Sequence, residues 1–173
     1  ERAAAVVADL LTIARDSASV HENHDINDII TSYCQSPDFK KLTELHPEVE
    51  FVLDLAPDTQ VCNCSSSHVE KTLINLIING FEAVKTSGFV NVATRNEIIE
   101  KEKASALELE PGSYITIQIS DSGEGISEDD LSHIFEPFFS KKGLGRSGTG
   151  LGLTVAWSCI HEHGGTIDVK SSP

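Results

Sequence analysis

Helical and strand-like segments alternate along the chain, and several strands follow one another directly. Apolar residues at helical spacing predict a long helix from Ser67 to about Lys85 and another from about Leu151 to Gly164 and Gly165. Period-two alternation predicts strands over residues 48–55, 60–64, 89–95, 114–120 and 166–170. This order indicates an α+β fold, a two-layer α/β sandwich on a mixed sheet, and not a doubly wound parallel sheet.

Local signals place several helix starts. Ser36 before Pro37 is typical of an N-cap followed by a first turn, and Ser127 is expected to cap a short helix through Ile134. Ser67 with Glu70 has the spacing of a capping box. A short helix is expected from about residue 28, and the charged segment 97–112 is interpreted as a solvated hairpin or insertion.

Apolar residues recur at helical spacing within residues 1–18, namely Ala3, Val6, Val7, Leu10, Leu11 and Ala14. A single apolar stripe without a partner predicts half of a helical hairpin or coiled coil. Residues 19–27 are polar and aperiodic, so we interpret them as a linker. The chain has no methionine and begins inside a predicted helix, and we expect it to be a piece of a longer protein.

The net charge of -14, from 13 Lys+Arg and 27 Asp+Glu, argues against binding nucleic acid over a broad face. A single nucleotide needs only a few local donors and a cation, so it stays compatible, with Mg²⁺ as a helper. The four cysteines lack the paired clusters of a zinc site, which favours reduced thiols in the cytoplasm. No window approaches the roughly 18 apolar residues of a membrane span.

Two asparagines lie four residues apart in the long helix, at Asn75 and Asn79. That spacing places both carboxamides on one helix face, near Glu82. An amide oxygen can ligate Mg²⁺, which prefers oxygen ligands. Two buried asparagines hydrogen-bonded to backbone or water would give the same pattern.

The motif Asp-x-Gly-x-Gly follows a predicted strand, at Asp121, Gly123 and Gly125. Glycines let the backbone turn sharply and approach a ligand closely, and the carboxylate can accept a hydrogen bond from an exocyclic amine such as that of adenine. An ordinary strand-to-helix turn with a local aspartate cap is the alternative.

A glycine-rich loop, residues 143–153, runs into the last helix after Lys141 and Lys142. Backbone N–H groups at a helix start form a phosphate cradle, and Arg146 with the lysines could reach phosphate oxygens. The loop lacks the Walker A lysine pattern. A flexible linker is the alternative, and we expect residues 140–150 to be the most mobile segment. Three aromatics in residues 135–139 indicate either an apolar anchor for a lid or plain core packing.

In this order and spacing, Asn-x-x-x-Asn, Asp-x-Gly-x-Gly, Phe-x-Pro-Phe and the glycine-rich loop closely resemble the N, G1, F and G2 boxes of histidine kinases. These kinases belong to a wider family with type II topoisomerases, Hsp90 chaperones and mismatch-repair ATPases. The resemblance covers roughly residues 48–172 and implies a Bergerat-type ATP-binding fold. Residues 1–18 resemble the second helix of the kinases' dimerisation and phosphotransfer hairpin, which implies one helix before the sandwich.

The resemblance also implies a role for each matching position. Asn79 is expected to ligate Mg²⁺ with help from Asn75, and Asp121 to bind the adenine amino group. Lys141 or Lys142 would touch the γ-phosphate. The remaining nucleotide-binding positions that it implies are Gly123, Gly125, Ile126, Gly148, Thr149, Gly150, Leu151 and Gly152.

Differences between this sequence and the family that it resembles bear on the expected reaction and phosphate contacts. Hydrolysing relatives carry a glutamate general base where this chain has Asn75, and an amide cannot take that proton, so transfer is favoured over hydrolysis. Many histidine kinases place a basic residue at the position of Glu82 or Ala83, so phosphate contacts must rely more on the lid. The chain ends before the family's last strand and final glycine box.

The phosphoacceptor histidine is expected upstream of Glu1. His24, in a superficially similar His-Asp-x-Asn motif, is interpreted as accidental, and no other histidine is assigned a catalytic role.

The expected function is therefore that of the Mg-ATP-binding catalytic domain (residues 28–173) of a two-component sensor histidine kinase. Its partners would be ATP, the histidine-containing hairpin of a homodimeric full-length protein and a response-regulator receiver domain, but not nucleic acid. A cytoplasmic location is expected, with membrane anchoring of the parent left open. The alternatives are an ATP-hydrolysing clamp, a non-catalytic nucleotide-binding module and a serine kinase of the same fold.

Overall fold

The computed structural model describes residues 20–140 and 149–173. The elements in chain order are β1 (Glu22–Asp25), α1 (Ile26–Cys34), α2 (Pro37–Leu45), β2 (Val49–Leu55), β3 (Val61–Cys64), α3 (Ser66–Ala83), β4 (Gly88–Ile99), α4 (Lys101–Ala106), β5 (Gly112–Asp121), α5 (Glu128–Leu131) and α6 (Gly152–Glu162). The mixed sheet and its helices confirm the α+β fold expected from the segment order.

The main sheet has the strand order β2-β4-β5. Strand β2 is parallel to β4, whereas β5 is antiparallel to β4. Strands β1 and β3 form a separate antiparallel pair, in which Glu22 lies opposite Cys64. The register of β4 and β5 pairs Val90 with Asp121, which brings the end of β5 beside the start of β4.

The long helix α3 lies over the core face of the main sheet. Its Leu73, Ile77 and Phe81 are at most 1% exposed, and they belong to one cluster with Val90 and Val92 of β4. Three phenylalanine rings, Phe39, Phe51 and Phe81, meet in this cluster, with centroids 4.7 to 6.3 Å apart. Aromatic packing of this kind contributes beyond the buried area alone.

Two of the expected helix caps are present. Ser36 Oγ accepts a hydrogen bond from the Phe39 N–H at 3.1 Å, and Ser127 Oγ accepts from the Asp130 N–H at 3.4 Å. The expected capping box of Ser67 and Glu70 is wrong, because α3 begins one residue earlier and Ser65 is its N-cap. Ser67 is therefore already inside the first turn, where its Oγ lies 3.1 Å from that of Ser65.

The charged segment 97–112 forms the expected hairpin, in which Ile99 of β4 pairs with Gly112 of β5 and helix α4 lies between them. Two other segments differ from expectation. Residues 22–25, expected in an irregular linker, form β1 because β3 supplies an antiparallel partner. Residues 166–170 alternate as a strand would, but they carry no strand in the described structure, since alternation predicts a face and not a hydrogen-bonding neighbour.

The His24-Asp25-x-Asn27 motif is part of this framework. His24 lies in β1 opposite Cys62, and the Asp25 side chain caps α1 by accepting from the Asn27 N–H at 2.8 Å. Asn27 Nδ2 donates to the Ala56 carbonyl at 2.7 Å.

The N-terminal helix expected over residues 1–18 lies outside the described residues. Within residues 20–140 and 149–173, no helix combines the length and apolar character needed to cross a bilayer.

Candidate functional site

The two asparagines lie on the flank of α3, away from its core residues. Asn75 and Asn79 are both half-buried, whereas Ile77 between them is fully buried. Asn75 Nδ2 donates to the Gly152 carbonyl at 3.1 Å, so its amide is turned towards the first turn of α6. A Cβ atom on Gly152 would lie 3.4 Å from Asn75 Cγ and Oδ1, which shows how closely the two helices approach here.

Asp121 is exposed at the end of β5 and begins a tight turn. Its Oδ1 accepts the Gly123 N–H at 2.8 Å. A Cβ on Gly123 would lie 2.5 Å from Ala83 Cβ, and the Glu124 N–H donates to the Ala83 carbonyl at 3.2 Å. The turn is thus held against the C-terminal end of α3 by contacts that a side chain at Gly123 would disrupt.

The second half of this turn contacts the C-terminal segment of the chain. Gly125 has a φ of +71°, and a Cβ there would lie 2.1 Å from the Ser172 carbonyl oxygen. The Ile126 N–H donates to Ser171 Oγ at 2.9 Å. Both positions therefore shape one side of the turn through their backbones.

The described end of the glycine-rich loop meets the Phe-x-Pro-Phe motif. Gly150, with a φ of +69°, accepts the Phe138 N–H at 2.9 Å through its carbonyl. Thr149 Oγ1 accepts the Leu151 N–H at 3.2 Å, and Leu151 is fully buried. The two motifs, separate in sequence, form one backbone junction at the start of α6.

Phe138 also has a positive φ, of 68°, although it is not glycine. Its side chain is 63% exposed. A positive φ in a residue other than glycine is strained and persists only where the surrounding structure imposes it, and such residues are frequent at functional sites. Sequence reasoning placed the aromatic run but gave no signal for this conformation.

The start of α6 has the features of an anion-binding site. Leu151 occupies the N-cap and makes no side-chain cap hydrogen bond. The first N–H groups of a helix have no intrahelical acceptor, and the helix dipole places partial positive charge there. This end lies beside Asn75, so an anion group and an amide-bound cation could meet at this junction.

The donor set suits Mg-ATP. Asn75 Nδ2 is hydrogen-bonded to the Gly152 carbonyl, which leaves Oδ1 as the atom that can ligate a hard cation. Asn79 has a second amide oxygen, one helical turn further along α3. Asp121 presents a carboxylate acceptor near α3, since a Cβ on Gly80 would lie 3.6 Å from Asp121 Cβ.

Lys141, Lys142 and Gly148 lie outside the described residues, as does Arg146. The positions that the structure describes fall into two groups joined by α3. Asp121, Gly123, Gly125 and Ile126 lie at its C-terminal end, and Thr149, Gly150, Leu151 and Gly152 lie at the side of Asn75. The individual roles of all these residues stay predictions.

Cys159 in α6 and His133 before the aromatic run have shifted pKa values. Burial raises the pKa of the Cys159 thiol above its ordinary value, so this side chain remains a protonated packing group. The hydrogen bond from His133 to Glu136, beside the aromatic run, raises the pKa of His133. All four cysteines are free thiols.

A family model described as histidine kinase-, DNA gyrase B-, and HSP90-like ATPase matches residues 64–173. The chain belongs to this family. The site described above therefore lies in an ATP-binding domain.

Within this family, the relatives and solved structures that match the chain include several histidine kinases. The sensor histidine kinase ZraS of Klebsiella oxytoca is 29% identical over 97% of this chain and 32% of its own length. Acinetobacter baumannii histidine kinase AdeS shares the fold with a TM-score of 0.63 and 23% identity, over 92% of this chain and 66% of that one. ShkA in complex with AMPPNP has a TM-score of 0.60 and 17% identity, over 91% and 30%. These likenesses indicate an ATP-binding domain of the kind found in sensor histidine kinases, and the chain spans about a third or less of the curated relatives' length.

Proposed function

We propose that this chain transfers the γ-phosphoryl group of Mg-ATP to a histidine outside its 173 residues, as the catalytic domain of a two-component sensor histidine kinase. The observation that carries the proposal is the contact between Asn75 Nδ2 and the Gly152 carbonyl. It joins the polar flank of α3 to the N-terminus of α6, where a triphosphate and its cation would both find partners. Asp121, beside the C-terminal end of α3, supplies the adenine contact.

In this proposal Asn79, assisted by Asn75, holds Mg²⁺, which supplies neutralisation of phosphate charge. The α6 N-terminus orients the phosphates through backbone N–H groups. Lys141 or Lys142 contacts the γ-phosphate. Positioning and charge stabilisation of this kind account for most of the catalysis in phosphoryl transfer.

The residue at position 75 favours transfer over hydrolysis. An amide has no basic lone pair that can take a proton from water, so Asn75 cannot act as a general base. Its Nδ2 is moreover occupied by the Gly152 carbonyl, which sets the orientation of the amide. Transfer to a phosphoryl acceptor from outside this site is then favoured over hydrolysis.

That acceptor belongs to the organisation we propose for the full-length protein. Residues 1–18 are half of the dimerisation and phosphotransfer hairpin, and the ATP-binding domain begins with β1, because β1 pairs with β3 and α1 follows it directly. The histidine lies on the other hairpin helix of the homodimer, and the phosphoryl group passes next to a response-regulator receiver domain. These are cytoplasmic steps. ZraS and the Brucella abortus relative are named as sensor kinases, which supports this assignment.

The test is phosphorylation of the parent protein's hairpin, supplied in trans, by this chain with γ-labelled ATP and Mg²⁺. We expect acid-labile label on the hairpin and its loss with Asn79→Ala. Asn63→Ala is the matched control, because Asn63 is exposed in β3, away from the site. Steady-state release of labelled phosphate without a labelled hairpin would instead support an ATP-hydrolysing clamp, and nucleotide binding without either product a non-catalytic module.

A further inference from the structure

Helices α3 and α6 lie side by side in opposite directions, and two hydrogen bonds join them at the two ends of α6. At the site end, Asn75 Nδ2 donates to the Gly152 carbonyl at 3.1 Å. At the other end, the Ser65 N–H donates to Nε2 of His163 at 2.9 Å. The second bond joins the N-cap of α3 to the C-cap of α6.

The hydrogen bonds of His163 define its tautomer. Nδ1 lies 2.6 Å from the Cys159 carbonyl oxygen, which can only accept, and Nε2 faces the Ser65 N–H, which can only donate. The ring proton is therefore assigned to Nδ1 and the lone pair to Nε2. Both ring nitrogens are used, one within α6 and one across to α3.

The bridge serves the backbone N–H of the N-cap residue itself, at a helix start that has no side-chain cap. Ser65 is the N-cap of α3, but its side chain makes no cap hydrogen bond and its Oγ instead lies 3.1 Å from Ser67 Oγ. The imidazole of His163 supplies the acceptor for the Ser65 N–H, beside the contact between His68 of α3 and Glu162 of α6, and a smaller side chain would leave this N–H facing a gap.

Neighbouring rings hold the imidazole in place. His21 stacks on His163 with centroids 4.7 Å apart and planes 7° apart, and His68 approaches edge-on at 6.1 Å. His68 Nδ1 in turn lies 3.3 Å from a Glu162 carboxylate oxygen. Within the described residues, no group of His, Cys, Asp and Glu side chains could hold a metal ion, so this cluster is organised by stacking and hydrogen bonds.

His163 itself is remote from the nucleotide site. Eleven residues separate it from Gly152, which corresponds to roughly 16 Å along a helix at about 1.5 Å per residue. It can act on the site only through α6. The buried face of α6, with Leu151, Val155 and Cys159 each at most 2% exposed, makes the helix a rigid connection between its two ends.

We propose that His163 is a positioning residue for nucleotide binding: its ring couples the N-cap of α3 to the C-cap of α6 and so determines how the N-terminus of α6 lies against Asn75. The inference rests on the proposed nucleotide site. Its consequence is that nucleotide affinity depends on the acceptor at Nε2, although His163 makes no contact with the ligand.

Two substitutions separate the two hydrogen bonds. His163→Gln can place an amide oxygen near the position of Nε2, which keeps an acceptor for the Ser65 N–H. His163→Asn keeps a donor near Nδ1 for the Cys159 carbonyl but cannot reach Ser65. His161→Gln is the matched control, because His161 is exposed on the same turn and stacks on Trp157, with centroids 4.4 Å apart.

The experiment is calorimetric titration of each folded variant with a non-hydrolysable ATP analogue and Mg²⁺. We expect His163→Asn to weaken binding about tenfold, while His163→Gln and His161→Gln stay within about threefold of the unmodified protein. A folded His163→Asn variant that binds as the unmodified protein does would overturn the inference and leave the proposed site intact. Absence of binding by the unmodified protein would overturn the proposed function itself, and the inference with it.

A second measurement does not depend on any variant folding. Long-range ¹⁵N–¹H correlation spectra of the unmodified protein report which ring nitrogen of His163 carries the proton. The bridge requires the proton on Nδ1. A proton on Nε2 would exclude the Ser65 hydrogen bond and with it the coupling.

Discussion

Helix α3 has two faces with different roles, one in the core and one at the candidate site. On one, Leu73, Ile77 and Phe81 are at most 1% exposed and pack against the sheet. On the other, Asn75 and Asn79 are half-buried, and Asn75 is hydrogen-bonded to Gly152 of α6. The same 18 residues therefore carry both the centre of the core and the polar edge of the candidate site.

The difference shows how the site can be polar without weakening the fold. The core face is held by apolar burial, whereas the site residues are held by backbone contacts such as Gly123 against Ala83 and Gly150 against Phe138. Substitutions on the core face should therefore change stability, and substitutions on the site face should change nucleotide affinity. The following predictions test this separation.

The largest effect is expected on the core face. Phe81→Ala should lower the free energy of unfolding by about 3–5 kcal/mol, because it removes a fully buried ring and leaves a cavity. The matched control is Phe89→Ala on the opposite face of the sheet, where the ring is 44% exposed and the loss should be about 1 kcal/mol. Urea unfolding followed by circular dichroism measures both, and equal losses would contradict the assigned core.

An intermediate effect is expected where the site meets α3. Gly123→Ala places a Cβ 2.5 Å from Ala83 Cβ, so the turn carrying Asp121 must shift. We expect a loss of about 1–3 kcal/mol of stability and a roughly tenfold loss of nucleotide affinity. Gly112→Ala is the control, since the nearest heavy atom, in the Tyr114 ring, lies 3.9 Å away. Unchanged nucleotide affinity in a folded Gly123→Ala variant would show that this turn is not part of the nucleotide site.

The smallest effect is a pH dependence of the core. Burial, followed by the charges of Cys34, Asp38 and Glu70, raises the pKa of Tyr33 from 10.0 to about 12. The unfolded chain loses this proton first, so the stabilisation is fully present below pH 10 and is lost as pH rises towards 12. At pH 11 the loss should be about 1 kcal/mol relative to pH 9.

Tyr33→Phe should remove the part of the stability loss between pH 9 and pH 11 that comes from Tyr33. The urea midpoint of the unmodified protein should therefore fall more between these two pH values than that of Tyr33→Phe. Nucleotide affinity of the folded protein should not follow the titration of Tyr33, because this side chain lies in the core cluster and not at the polar flank of α3. Identical pH dependence of the two proteins would contradict the buried setting of the phenol.

Much of the fold was predictable because its signals are local. Alternation along residues 48–55 and helical spacing along α3 need no knowledge of the partner, and the caps at Ser36 and Ser127 depend on a few neighbouring residues. Strand β1 was missed because its four residues are polar and its pairing with β3 joins residues about 40 positions apart. The expected strand at 166–170 failed for the converse reason, since its pattern is right but no ladder forms.

The candidate site was predictable as motifs but not as contacts. The glycines at 123, 125, 150 and 152 marked close backbone approaches, yet the sequence could not say that Ala83, Ser172, Phe138 and Asn75 are the opposing groups. His163 gave only a weak signal, a histidine before two glycines at a helix end. Its role depends on Ser65, 98 residues earlier, which no local pattern reveals.

The most direct test of the account is calorimetric titration with a non-hydrolysable ATP analogue, with and without Mg²⁺. The unmodified protein and Asp121→Ala are compared with Asp58→Ala, a control that removes an exposed carboxylate from the β2–β3 turn. We predict saturable, Mg²⁺-dependent binding that Asp121→Ala weakens roughly 10- to 100-fold, through loss of a hydrogen bond to a charged group, and that Asp58→Ala leaves unchanged. Equal binding by the folded Asp121→Ala variant would place the nucleotide elsewhere and contradict the site described on α3.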